Sequence, residues 1–157
     1  MTSEGATARE RVAEPSSEPP AYWTRLAYES VIAFIRAEQG KRGFSQPQFW
    51  ILRHLSPHDL SADGRGMTVP ELQAAMAEYI RPEDDLAAEA EALLERDLLR
   101  SDSDGSLVLT DAGEQTRLAW KAYGPEIRAL IHRGIDDADY AVAVRVLKRL
   151  IANTALD

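Results

Sequence analysis

The sequence contains no cysteine and only three histidines, His54, His58 and His132. Without cysteine the chain has no disulfide, no thiolate nucleophile and no cysteine-ligated zinc. His54 and His58 lie four residues apart, but Pro57 between them disfavours the continuous helix that would place both rings on one face. No glycine-rich phosphate-binding loop is present. We therefore expect neither an enzyme nor a bound cofactor or metal.

Long hydrophobic runs are also missing. No apolar run approaches the roughly 18 residues that a membrane-spanning helix needs, and the N-terminus lacks a basic start followed by an apolar segment. A chain of 157 residues, 45% of them hydrophobic, is enough for one core. We expect a soluble cytoplasmic protein with no membrane partner, in which residues 21–157 form a single domain. Residues 1–20 are rich in Ser, Glu, Pro and Ala and predict a disordered tail, the alternative being an arm that docks on a partner.

Basic residues are scarce in one segment. The net charge is −8, and residues 82–104 hold nine acids and two bases, so this segment contributes −7. The remaining residues hold 17 acids and 16 bases and are nearly neutral. The acidity therefore belongs to one segment and not to the whole surface.

Helix starts are marked by local capping signals. Ser45 with Gln48, and Thr68 with Glu71, form two capping boxes, and Asp136 begins a close variant. Each cap contributes about 1 kcal/mol, so three of them locate helix starts firmly.

Residues 67–114 predict a helix-turn-helix followed by a β-hairpin. The order is a helix over 68–76, a turn, and a longer helix over 82–96 with Pro82 in its first turn. Strands over 97–100 and 106–109 follow, joined by a turn in which Gly105 takes a positive φ. Thr110 then caps another helix. We expect a mainly α fold with a small β-hairpin wing, built around residues 45–110.

Helices with apolar stripes flank this core. The first covers residues 21–39 and is expected to stop at Gly40. Residues 114–155 form further helices, broken near 124–125 and at Gly134. These stripes either pack into the chain's own core or meet a second subunit. We expect residues 21–39 and 114–155 to form a homodimer interface.

The longer helix has an apolar face and an acidic one. Leu86, Ala90 and Leu93 share one side at 100° per residue. The acids have a structural interpretation, favourable interaction with the helix dipole and solvent, and a functional one, in which the acidity repels nucleic acid or attracts a basic partner. The acidic face comprises Asp84, Asp85, Glu91 and Glu95.

Five segments occur in an order that is typical of one known family: residues 44–50, 67–72, 93–99, 109–113 and 134–140. Through these segments, residues 22–153 resemble the MarR family of bacterial winged-helix regulators. The resemblance implies a homodimer with two winged helices spaced for DNA half-sites. It also implies, in many members, a small aromatic effector near the hinge.

The chain departs from the family pattern where DNA is read. Family members usually carry Ser, Arg and Thr at the start of the recognition helix, whereas residues 82–88 here read Pro, Glu, Asp, Asp, Leu, Ala, Ala. Gly105 stands about where the family's wing has an arginine. No DNA-contact residue of the family is carried over.

Two functions follow from these patterns. The first is a dimeric transcriptional regulator that binds double-stranded DNA, with Arg65, Arg81 and Arg100 as candidate phosphate contacts. The second is a winged-helix dimer that no longer binds DNA and works as a protein-interaction or ligand-sensing module.

Either function is compatible with an effector site. Aromatic residues on helices are more often plain core than ligand contacts. The candidate lining of a pocket for a small aromatic effector is Trp23, Tyr28, Trp50 and His54.

Overall fold

A computed structural model describes residues 18–156. The tail predicted for residues 1–20 therefore lies outside the described residues except for its last three, and helix begins at Pro20. The described residues divide into two compact units, with the boundary between residues 34 and 35. Among residues 18–156, every helix is too short or too polar to cross a bilayer.

The described residues form seven helices and one two-stranded antiparallel sheet. The sheet pairs Leu99 with Leu109 and Ser101 with Leu107. This arrangement confirms the mainly α fold with a small hairpin. The elements are α1 (Pro20–Lys41), α2 (Gln46–Leu55), α3 (Val69–Ala75), α4 (Leu86–Glu95), β1 (Leu99–Ser101), β2 (Leu107–Leu109), α5 (Asp111–Lys121), α6 (Gly124–Ile131) and α7 (Asp137–Asn153).

The predicted helix caps are present. Ser45 and Gln48 exchange two hydrogen bonds of 3.2 Å at the start of α2. At the start of α3 the amide of Thr68 donates to Glu71 at 2.8 Å, and the reciprocal bond completes the box. Asp136 caps α7. Local signals therefore set these three helix starts.

The prediction that Pro82 opens the longer helix is wrong. The amide of Arg81 donates to Asp84 Oδ2 at 2.7 Å, which closes residues 81–84 into a turn. Asp85 is the N-cap instead, and its carboxylate accepts the amide of Ala88 at 3.0 Å. The helix α4 therefore begins at Leu86, because an acid that caps outcompetes a proline that is merely compatible with a first turn.

Two further boundaries differ from expectation. Gly40 does not stop α1, which continues to Lys41, and Gly43 supplies the positive φ of +83° after the helix. The first strand begins at Leu99 and not at Asp97, because Asp97 has a φ of +56° and turns the chain at the end of α4. Asn and Asp tolerate this left-handed conformation better than most residues.

The core of the second unit lies between α2, α3, α4, the hairpin and α5. The predicted apolar face of α4 is buried, with Leu86, Ala90 and Leu93 each at most 4% exposed. Met67 forms an isolated antiparallel β-bridge with Leu107 of the hairpin, through backbone hydrogen bonds of 3.1 and 2.8 Å. The core therefore fixes which side of α4 faces outward.

A buried cluster of charges joins α2 and the following loop to α5. Arg117 is 2% exposed and donates to Asp59 at 3.0 Å and to Glu114 at 2.9 Å. Ser56 donates to Glu114 at 2.8 Å, and Arg53 donates to Asp59 with two bonds of 3.1 Å. Every charge has partners, as buried charges require. The cluster fastens the start of the 56–66 loop.

Because of this cluster, we expect the folded protein to lose stability at acid pH. Burial raises the pKa of Asp59, but hydrogen bonding to Arg53 and the nearby cations lower it overall. Hydrogen bonding to Arg117 lowers the pKa of Glu114 against the opposing effect of burial. A carboxyl with a lowered pKa adds stability above its unfolded pKa, about 4, and loses that contribution as pH falls through the folded pKa.

We therefore expect the free energy of unfolding, measured with urea, to change little above about pH 5 and to fall below about pH 4. Asp59→Asn should be less stable at neutral pH and should show a shallower fall in acid. An equally steep fall in that variant would contradict the assignment.

Gly113 allows α5 to approach the chain that leads into β1. A Cβ at this position would lie 2.1 Å from the carbonyl oxygen of Leu98 and 2.7 Å from Leu109 Cδ1. Backbone cannot yield to that contact cheaply. We expect Gly113→Ala to cost about 1–3 kcal/mol and to lower Tm by about 4–10 °C. Gly124→Ala is the matched control, because a Cβ at Gly124 meets nothing within 4 Å; equal Tm values for the two variants would refute the close approach.

Candidate nucleic-acid interface

The outward side of α4 is the exposed surface of the helix-turn-helix. Asp85, Ala88, Glu91 and Glu95 are exposed along it, opposite the buried apolar face. No ion pair within residues 18–156 involves Glu91 or Glu95. This side of α4 therefore presents small side chains between carboxylates.

Asp84 does not belong to that surface, and its placement on the exposed acidic face was wrong. Its side chain is 8% exposed and forms a forked ion pair with Arg36, with distances of 2.7 and 2.8 Å. Hydrogen bonding to Arg36 lowers the pKa of Asp84, and burial opposes this only in part. The pair links positions 48 residues apart, a separation that a helical wheel of α4 cannot reveal.

Other acids of the 82–104 segment also bind within the protein. Ser45 donates its hydroxyl to Glu89 Oε2 at 2.9 Å, and Arg81 Nε donates to Glu83 at 2.7 Å. Asp102 pairs with Arg100 in the hairpin, and Asp104 accepts the amide of Ser106 at 3.0 Å. With Asp84 and the cap Asp85, six of the nine acids have hydrogen-bond or ion-pair partners within the protein. The remaining three, in the described chain, are Glu91, Glu95 and Asp97.

The three candidate phosphate contacts are all paired with carboxylates. Arg65 is 65% exposed, in the loop before α3, and lies 3.6 Å from Glu71. Arg100 on β1 is 60% exposed beside Asp102. Exposed pairs contribute about 0–1 kcal/mol, so a phosphate can replace the carboxylate at little cost.

Arg81 differs from the other two. It lies in the turn before α4, its side chain is 22% exposed, and its guanidinium already holds Glu83. Arg65 precedes α3 and Arg81 follows it. Of the two, Arg65 is the one near the hairpin turn, where it acts on Asp104. The amide of Ser106 is the main cause of a lowered pKa at Asp104, and Arg65 adds to that lowering. Arg65 and Arg100 are therefore the more accessible cations beside the hairpin.

The predicted effector pocket stays a prediction. Trp50 stacks on Tyr79 with 4.0 Å between ring centroids, and His54 Nδ1 lies 2.8 Å from the carbonyl oxygen of Trp50. Trp23 and Tyr28 belong to the first unit and are each 54% exposed. A different pocket of about 370 Å³ lies in the second unit, and its polar lining includes Arg36, Ser45, Gln46, Asp84 and Glu89.

No protein-family model matches the sequence, and no curated protein is significantly similar to it. Solved structures are similar in fold. MepR, a transcription regulator of the Staphylococcus aureus multidrug efflux pump MepA, aligns over 88% of this chain and 100% of its own, with 13% identity and a TM-score of 0.66. BpsR of Bordetella bronchiseptica, whose DNA binding is regulated by 6-hydroxynicotinic acid, aligns over 91% of this chain and 100% of its own, with 19% identity and a TM-score of 0.59.

A third structure is Rv2887, a MarR family protein of Mycobacterium tuberculosis. It aligns over 86% of this chain and 95% of its own, with 17% identity and a TM-score of 0.66. Its complex with DNA aligns over 85% and 98%, with 16% identity and a TM-score of 0.62. The chain has the MarR-type winged-helix fold. In that fold α3 and α4 form the helix-turn-helix, and the β1–β2 hairpin is the wing.

Arg36 and Ser45 make contacts with α4 and the turn before it that the sequence did not suggest. Both lie outside the helix-turn-helix, on α1 and at the N-cap of α2, yet both bind acids near the start of α4. The sequence identified Ser45 only as a helix cap and Arg36 only as a polar residue on a helix with an apolar stripe. Their partners became visible only when the chain folded.

Proposed function

We propose that the protein is a dimeric transcriptional regulator that binds double-stranded DNA through the recognition helix α4 and the wing. The observation that carries this proposal is the exposed side of α4, anchored by a buried apolar face, together with two exposed arginines, Arg65 before α3 and Arg100 on β1. The DNA complex of Rv2887 supports it by analogy of fold.

Apolar surface on the terminal helices supports the dimer. In the first unit, α1 exposes Trp23, Tyr28 and Phe34. In the second unit, α7 exposes several large apolar side chains, the last of which is Ile151, 70% exposed. Several large apolar side chains that are exposed to solvent along one helix are typical of an interaction surface. A second copy of the chain would cover such surfaces symmetrically.

Binding would depend on phosphate contacts. Arg65 and Arg100 would exchange Glu71 and Asp102 for backbone phosphates, with Arg81 as a weaker third candidate. Each neutralised phosphate releases counterions, so affinity falls steeply with salt. The carboxylates of Glu91 and Glu95 oppose binding to a polyanion, and we therefore expect modest affinity.

The same carboxylates support a second candidate function. Asp85, Glu91 and Glu95 project from one exposed surface, with no cation paired to Glu91 or Glu95 in the described chain. A basic protein partner would be attracted to that surface, while DNA would be repelled. In this case the winged-helix dimer works as an interaction module. A small aromatic effector, as for BpsR, is compatible with either function.

One triple variant separates the two functions. Asp85→Asn, Glu91→Gln and Glu95→Gln together remove three charges, and asparagine preserves the N-cap of α4. If the protein binds DNA, we expect its affinity for labelled genomic duplexes at low salt, measured by anisotropy, to rise about tenfold as repulsion is removed. If the surface binds a basic protein, capture of that partner should weaken instead.

The control for this experiment carries Glu126→Gln, Asp137→Asn and Asp139→Asn. It removes three charges from α6 and α7, all exposed, and should leave DNA affinity within about twofold if only local charge matters. No DNA binding by wild type or triple variant, with the dimer intact, would reject the DNA-binding function.

The phosphate contacts have a test of their own. If each arginine neutralises one phosphate, Arg65→Gln and Arg100→Gln should each reduce the slope of log affinity against log salt by about one, across all duplex sequences. Arg145→Gln on α7, also exposed, should leave the slope unchanged. An unchanged slope in both arginine variants would exclude Arg65 and Arg100 as phosphate contacts.

A further inference from the structure

The segment that leads into the recognition helix is attached to α1 by a forked ion pair. The two terminal nitrogens of Arg36 donate to the two carboxylate oxygens of Asp84 at 2.7 and 2.8 Å. Such parallel bonds fix both the distance and the relative orientation of the two groups. The end of α1 and the approach to α4 are therefore held in one geometry.

Both partners of this pair are themselves fixed. Arg36 Nε donates to Gln46 Oε1 on α2 at 3.0 Å. Asp84 Oδ2 also accepts the amide of Arg81 at 2.7 Å, so the carboxylate shapes the turn that precedes α4. The guanidinium thus connects α1, α2 and the turn, and neither side chain of the pair can rotate without breaking a further hydrogen bond.

A second contact lies one turn further along α4. Ser45, the N-cap of α2, donates its hydroxyl to Glu89 at 2.9 Å. Glu89 is partly buried, unlike Glu91 and Glu95. Asp84 and Glu89 therefore both direct their carboxylates toward α1 and α2, and away from the exposed side of α4.

These contacts line the pocket of about 370 Å³. Apolar packing of Leu86, Ala90 and Leu93 holds the other side of α4. The hydrophobic effect that drives this packing is non-directional. Directional bonds at the start of the helix supply the constraint that packing alone leaves soft.

We propose that Arg36 is a positioning residue for the recognition helix, and that Asp84 and Glu89 orient α4 against residues 35–41 at the end of α1 and against α2. The inference rests on the proposed function only where it names α4 as the DNA-reading helix. It explains why acids stand in a segment where a DNA-binding protein usually carries bases: the inward pair sets the angle at which the exposed side of α4 is presented.

Hydrogen exchange measured by mass spectrometry on the full chain tests this proposal without DNA. We expect Arg36→Gln and Asp84→Asn each to speed exchange about tenfold in peptides covering residues 81–90, because local opening becomes easier. Peptides from α5 should change much less. The double variant should resemble the single variants, since the effects of two partners in one ion pair are not additive.

Glu91→Gln is the matched control, since it removes an acid from the same helix without touching α1 or α2, and its exchange should equal that of wild type. Should Arg36→Gln fail to fold, Arg36→Lys keeps the charge without the fork and should speed exchange in the same peptides. Uniform acceleration across α4 and α5, or none in residues 81–90, would overturn the positioning role. If exchange changes locally but no variant or wild type binds DNA, the positioning role stands and the proposed function fails.

Discussion

Burial of the apolar face of α4 is the constraint on which the rest of the structure depends. Leu86, Ala90 and Leu93 are almost fully enclosed, and because a helix repeats every 3.6 residues, their burial fixes the direction of every other side chain on it. Glu91 and Glu95 are exposed for this reason. The hairpin and α5 pack on the same core. The packing of this core therefore determines which side chains of the winged helix are exposed.

Polar contacts add directional constraints on the orientation of α4 to those of apolar packing. The acidic segment looks unsuited to DNA when its charges are counted, yet most of its carboxylates cap helices, close turns or bind arginines. Asp84 and Asp85 are adjacent in sequence and differ completely in role: one is held by Arg36 in a partly buried pair, and the other caps α4 on the surface. Net charge alone therefore overstates the acidity that a partner would meet.

How far the sequence predicts the structure depends on the range of each interaction. Capping boxes at Ser45 and Thr68 involve residues three positions apart, so they were visible in the sequence and are confirmed. Pro82 failed as a helix start because Asp84, which also binds the distant Arg36, closes residues 81–84 into a turn and Asp85 caps the helix. The candidate cations were recognisable as residue types, but their pairing with Glu71, Glu83 and Asp102 was not.

The sequence by itself determined the succession of helices and hairpin, the buried face of α4 and the segment in which the negative charge is concentrated. These follow from periodicity, caps and composition, which act over a few residues. Only the tertiary structure decided which acids face solvent and which bind inward, and where α4 begins. Those outcomes depend on side chains such as Arg36 and Ser45, which reach α4 only after α1 and α2 have packed beside it, because ion pairs and hydrogen bonds act over a few ångströms of space and not of sequence.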